Sequence, residues 1–218
     1  LYFPRISEEG LFSFEKNFKM KQFISEALIR QLQADTRRTI LATNQLRAVD
    51  PGILLQQPAP GKWSVVQVIE HLGSYDRYYL VAIERALLQE KPAKPYFKAG
   101  WLGDYFTRIM SPRPDGTISN RMKSPAGHRP GTLSDALPVL NLFLEQQHYL
   151  IDLLEKARSK DLGSIRIPVT ISRFIRLKLG DTFRFLQAHK DRHFVQIENT
   201  LEALGAATDK YPASRPAA

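Results

Sequence analysis

The sequence predicts an all-α protein, a four-helix bundle with long crossover connections. Three observations predict it. Four separate segments carry apolar side chains at helical spacing. The stretches between them are rich in proline and glycine, and no set of alternating apolar runs calls for a sheet. With 218 residues and 43% hydrophobic positions, the chain is long enough for one continuous core and short for two domains.

In chain order, the first nineteen residues, LYFPRISEEGLFSFEKNFK, show no sustained period, whereas a helical pattern begins at Met20. The expectation is that Met20 is the natural start and that residues 1–19 are an extension outside the core. Helix one is predicted from Met20 to about Val49, on Phe23, Ile24, Ala27, Leu28, Leu32, Ile40, Leu41 and Leu46, with Asp50-Pro51-Gly52 as its stop. The prolines and glycines of PGILLQQPAPGKW then argue against a regular element.

Ser64 stands three residues before Gln67, a capping-box pattern that opens helix two, Ser64 to about Gln89. From Glu90 to Leu133 the chain holds Pro92, Pro95, Pro112, Pro114, Pro125 and Pro130, with room for one short helix around Leu102 to Met110. A connection this long inside one domain is a candidate lid. Helix three follows from about Ser134 to Arg158, with Pro138 in its first turn. An irregular connection comes next, with an extended stretch at Ile165 to Ile171. Helix four then runs from about Gly180 to Leu204, with Gly205 as its C-terminal cap and a flexible tail over residues 205–218. The bundle proper thus occupies residues 20–204.

Composition narrows the chemistry. Cysteine is absent, which excludes disulfides, thiolate zinc sites and cysteine nucleophiles and leaves nitrogen and oxygen as metal donors. No apolar run reaches the roughly 18 residues that a membrane helix needs, and no signal peptide stands out, so a cytoplasmic protein without a membrane partner is expected. The net charge of +9 raises nucleic acid as a partner. The basic residues are scattered, however. The densest sets, Arg121, Lys123 and Arg129, then Arg166, Arg173, Arg176 and Lys178, fall in predicted connections without interleaved stacking aromatics. An anionic small molecule or a plain solvated surface explains them better.

Histidine carries the remaining signal. His189 and His193 lie four residues apart on helix four and share its buried stripe with Leu186, Ile197, Thr200 and Leu204, while Lys190, Asp191 and Arg192 fall between them. Buried imidazoles need partners, since an unsatisfied polar group costs roughly 1–3 kcal/mol, and a shared metal ion supplies both at once. His71 lies beside the stripe Val68, Leu72, Tyr75 and Tyr79 of helix two and projects toward the same interior. Three histidines without a fourth protein ligand leave an open position, as catalytic sites do. A divalent ion suits them, zinc or nickel best, with iron, manganese and copper also admissible. On spacing alone, an i, i+4 histidine pair is more often ordinary than metal-binding. His148 reads as a core-edge histidine bonded to a neighbour and His128 as a solvated loop histidine.

The segments GKWSVVQVIEHL (Gly61 to Leu72) and HKDRHFVQI (His189 to Ile197) resemble the motifs that open the second helix and close the last helix of DinB/YfiT-like proteins. The resemblance spans about Met20 to Leu204. It implies a four-helix bundle holding a divalent metal on His71, His189 and His193, with Gln196 as the motif glutamine and Trp63 and Ser64 in packing and capping roles. The long basic connection from Glu90 to Leu133 departs from the pattern.

The family includes thiol S-transferases and isomerases that use low-molecular-weight thiols, and members described only as metal-dependent hydrolases. The resemblance therefore implies a small-molecule enzyme in which the ion activates a water or thiol, and it leaves a homodimer open. Glu70, Asp76 and Asp191 are candidates to orient the imidazoles, although solvated charges are the plainer reading, and Tyr75 and Tyr79 are pocket or core. The competing class is a non-catalytic module in which the metal only cross-links helices two and four. An open coordination position in a cleft separates the two.

Overall fold

In the computed structural model, residues 20–113, 115–118, 123–170 and 172–206 are described. The expectations for residues 1–19 and for the tail beyond 206 lie outside them. The chain order is β1 (Gln22–Ile24), α1 (Ser25–Leu46), α2 (Pro51–Leu55), α3 (Val65–Leu87), β2 (Tyr96–Lys98), α4 (Trp101–Met110), a 3-10 turn (Ala126–His128), α5 (Leu137–Ala157), β3 (Arg166–Val169), β4 (Ser172–Lys178) and α6 (Leu179–Ala203).

The long helices α1, α3, α5 and α6 form the bundle. α5 packs between α1 and α3, and α6 closes the ring between α3 and α1, so α1 and α3 stand diagonally and α3 and α6 side by side. The crossovers make this order possible: a tight turn after α1 would have placed α3 beside it. α3 begins where expected. Ser64 Oγ accepts from the Gln67 amide at 3.3 Å and Gln67 Oε1 accepts from the Ser64 amide at 3.0 Å, a complete capping box. Pro138 falls in the first turn of α5, where its missing N–H costs nothing. α6 ends on Gly205 with φ of 71°.

Three expectations are corrected. Gln22–Ile24 is not the start of helix one but a strand paired antiparallel with Tyr96–Lys98, because alternating exposure suits a two-stranded edge better than a helix face. PGILL is helical: Asp50 accepts from the Gly52 and Ile53 amides and Pro51 takes the first turn. The stretch after α5 is a hairpin, Arg166–Val169 against Ser172–Lys178, whose second strand went unexpected because its basic residues hide the alternation that leaves Leu177 buried. Among the described residues no helix is long and apolar enough to cross a membrane.

The apolar core is divided. One cluster surrounds Leu28, Tyr79, Ile83, Leu153 and Phe183, and the other surrounds Leu46, Val65, Ile69, Phe143 and Ile197. Between them lies a belt of buried polar side chains: Gln33, Thr36 and Thr39 of α1, His71 and Asp76 of α3, Gln146 and Gln147 of α5, and Gln187, His189, Lys190, Arg192 and His193 of α6. α6 is buried on nearly every side. The reading that Lys190 and Arg192 lie off its buried face is therefore corrected, for they are 1% and 6% exposed.

Candidate metal centre

His71 projects from the second turn of α3, and His189 and His193 project from the middle of α6. Because these helices are neighbours, the three rings meet. His189 Nε2 lies 3.3 Å from His71 Nε2 and 3.1 Å from His193 Nε2, and the three donor atoms fall within 4.8 Å of one another. All three residues are buried, at 3%, 4% and 9% exposure for His71, His189 and His193.

The proton inventory shows what this cluster lacks. The backbone carbonyl of His128 lies 2.7 Å from His71 Nδ1. A carbonyl only accepts, so the ring N–H is there and His71 Nε2 is a bare lone pair. His193 Nδ1 faces Gln196 Oε1 at 2.9 Å, which leaves its Nε2 bare in the same way. His189 Nε2 can donate at most one proton between two acceptors.

Protonation does not repair the deficit. Burial lowers His71 to about 4, against the opposing pull of its hydrogen bond to the His128 carbonyl. Burial with the neighbouring His71 lowers His193 to about 3, and burial with the neighbouring imidazoles takes His189 well below its ordinary value. Two bare lone pairs and the Nε2 of a third neutral imidazole thus meet at one point, an arrangement that a cation satisfies. Nitrogens about 2.0–2.1 Å from a tetrahedral ion stand about 3.3 Å apart, which the two Nε2 separations match. The residues present fit a divalent metal.

Aromatic rings and a second ionic tie hold the cluster. Trp63 packs on His71 at 4.9 Å between centroids, Tyr75 on His189 at 4.7 Å, and Phe185 stacks on His189 at 6.0 Å. Behind the histidines, Lys190 Nζ of α6 meets Asp76 Oδ1 of α3 at 3.4 Å, and Gln147 Nε2 of α5 donates to Asp76 Oδ2 at 2.7 Å. This tie fixes α3 against α6 one residue from a histidine, so the relative height of His71 and His189 is set twice.

The carboxylates named as candidates to orient the imidazoles are engaged elsewhere. Glu70 pairs with Arg77, Asp76 with Lys190 and Gln147, and Asp191 with Gln187. A main-chain carbonyl and an amide side chain take that role instead. His128 is not simply solvated. Its carbonyl binds His71, its Nδ1 lies 2.9 Å from Ser74 Oγ, and its ring stacks on Tyr75 at 3.9 Å. A backbone acceptor leaves no mark in sequence, although a histidine in the proline-rich connection was the available hint. His148 is exposed on α5, away from a core edge. Tyr79 is core and Tyr75 faces the cavity.

That cavity opens over the three histidines with a volume of about 1190 Å³. Its walls come from the α2–α3 loop (Pro58 to Trp63), from the connection after α4 (Asp115 to Ile118 and Lys123 to Pro125), and from the α6 face that carries Arg192, Gln196 and Asn199. Part of the long connection therefore lies over the site as expected, while Arg121 falls outside the described residues.

The model of the DinB superfamily matches residues 31–197, which contain every residue of this cluster. The chain belongs to the DinB superfamily. Among solved structures, the superfamily fold is matched by YfiT from Bacillus subtilis at a TM-score of 0.51 and 15% identity, over 94% of this chain and 95% of that one. That protein is described as a probable metal-dependent hydrolase with an unusual four-helix bundle topology. No curated protein matches.

Proposed function

We propose that the chain is a metal-dependent enzyme, a hydrolase or a low-molecular-weight-thiol S-transferase, acting on a small molecule in the cytoplasm. In this reading His71, His189 and His193 hold one divalent ion, zinc or nickel. The observation that carries it is the convergence of three neutral, buried Nε2 atoms at the base of an open cavity. When bound, such an ion supplies Lewis acidity that brings a water or thiol in the remaining position toward ionisation near neutral pH.

The chain's own residues do the rest. The His128 carbonyl and Gln196 Oε1 fix the tautomers that present Nε2. Phe185 covers His189 from the core side, and Trp63 and Tyr75 pack on the rings where they line the cavity. Among the described residues no fourth histidine or carboxylate joins the set, which supports an open coordination position over the purely cross-linking alternative.

The test is metal analysis of protein purified without an affinity tag, across single substitutions. His189 and His193 share one helix and form a preorganised chelate, so His189→Ala and His193→Ala abolish tight binding. His71→Ala leaves a weaker two-histidine site, and His148→Ala leaves stoichiometry unchanged. Loss of the ion in His148→Ala with retention in His71→Ala refutes the assignment. A screen of thiols with electrophiles, and of hydrolysable esters and amides, in the presence of the metal found then separates transferase from hydrolase.

A further inference from the structure

We infer that the cavity takes a substrate bearing a carboxylate or phosphate group, held by Arg192 beside the histidine cluster and by Lys62, Lys123 and Arg129 nearer the mouth. This names the substrate class of the proposed enzyme and rests on that reading for the reaction, while the anion site stands on its own side chains.

The charge lining the cavity is one-sided. Lys62, Lys123, Arg129 and Arg192 face it, against Asp115 as the one carboxylate among the described lining residues. Asp115 already accepts from the Thr117 amide at 2.9 Å and the Thr117 hydroxyl at 2.7 Å. The cations come from separate parts of the chain: Lys62 from the α2–α3 loop, Lys123 and Arg129 from the connection after α4, and Arg192 from α6. No single helical period produces such a set; only the fold assembles it.

Lys62, Lys123 and Arg129 have no carboxylate partner among the described residues. Arg129 Nε donates to the Ser124 carbonyl at 3.0 Å, which ties its guanidinium to the segment whose His128 carbonyl holds His71. Arg192 stands one residue before His193, and its positive charge bears on both His189 and His193.

The wall of α6 continues the pattern. Arg192, Gln196, Asn199 and Ala203 recur at helical spacing along the cavity, so a donor-bearing stripe leads about 10 Å from Arg192 to Asn199 at 1.5 Å per residue. Trp63 and Tyr75, packed on the histidines, supply apolar surface to the same cavity. The open cleft has room for a small molecule. A positive, partly desolvated cleft concentrates anions, and guanidinium forks match carboxylate and phosphate geometry. A divalent ion on the histidines would make the cleft more positive still.

Trp63 gives the readout. The chain has two tryptophans, so Trp101→Phe leaves Trp63 as the only one. In that background, Trp63 fluorescence is titrated with pyrophosphate, succinate and the neutral analogue succinamide, in chelator-treated and zinc-loaded protein. We expect saturable binding of at least one anion and none of succinamide, and the anion that binds tells phosphate from carboxylate chemistry. Lys62→Gln with Arg129→Gln, both exposed, should weaken binding about tenfold or more, and Arg192→Gln should weaken it while leaving zinc stoichiometry intact. The inference is overturned if neither anion binds in either metal state, if succinamide binds as tightly, or if the double variant binds as tightly as its parent. Anion binding in protein that takes up neither zinc nor nickel would sink the metal reading alone, and metal uptake without anion binding would sink this one alone.

Discussion

Acidifying the metal-free protein should destabilise it steeply, and the histidine cluster sets the slope. His71 is held at about 4 and His193 at about 3, both below the ordinary value of 6.5, and His189 is lowered as well. A group depressed in the folded state gives stability that is complete above the unfolded value and is lost as pH falls toward the folded one. Between about pH 6.5 and 4 the unfolded chain takes up three protons here that the folded chain refuses, at about 1.4 kcal/mol per pH unit each.

Asp191 opposes them most strongly, and the buried Asp181 carboxyl is raised in the same sense. Burial raises Asp191 to about 7 from 3.8, so the folded chain keeps a proton that the unfolded chain releases. For the three histidines and Asp191 taken together the net is two protons, or about 2.7 kcal/mol lost per pH unit, a large share of a typical domain stability of about 5–15 kcal/mol. The assay is urea denaturation followed by circular dichroism at half-unit steps from pH 7.5 to 4.5 in the presence of chelator. The control is a variant with His71→Gln, His189→Gln and His193→Gln together. Other carboxylates titrate alike in both proteins, so the two stability curves should diverge by about 4 kcal/mol per pH unit. Parallel curves would show that the imidazoles are not held neutral by the fold.

Three further outcomes are expected. Gln196→Leu removes the acceptor at His193 Nδ1 and should lower zinc affinity about 10- to 100-fold, read by competition with a chromophoric chelator; unchanged affinity would mean that the glutamine does not set the tautomer. Arg184 bridges Asp104 at 2.7 Å and Asp181 at 3.2 Å in a buried site, so Arg184→Leu strands two carboxylates and should cost about 3–5 kcal/mol in urea melts, against little loss if water reaches them. Gly103 packs directly on the Asp181 side chain, and Gly103→Ala should lower the melting temperature by wedging α4 from α6, at a cost of roughly 1–3 kcal/mol; an unchanged melt would show that the contact yields freely.

The sequence by itself determined the four long helices and several of their caps, and it marked the three histidines that the fold brings together. Those features are local or periodic: a capping box at Ser64 and Gln67, an imidazole pair one turn apart on a helix, and a glycine at the end of α6 are decided within a few residues of chain. Only the tertiary structure decided that α6 lies beside α3 and diagonal to α5, because the order of helices in a bundle depends on long connections whose paths carry no period. The same packing made α6 buried almost all round, which is why Lys190 and Arg192 turned inward although their neighbours along the helix gave no sign of it. It also chose what orients the imidazoles: a backbone carbonyl at His128, which any residue type could have supplied, in place of the carboxylates that composition offered. The strands at Gln22–Ile24 and Ser172–Lys178 were hidden for a related reason, since a short edge strand is stabilised by its partner's hydrogen bonds and not by its own pattern. The cavity and its one-sided charge likewise exist only once three distant segments have been folded onto one face.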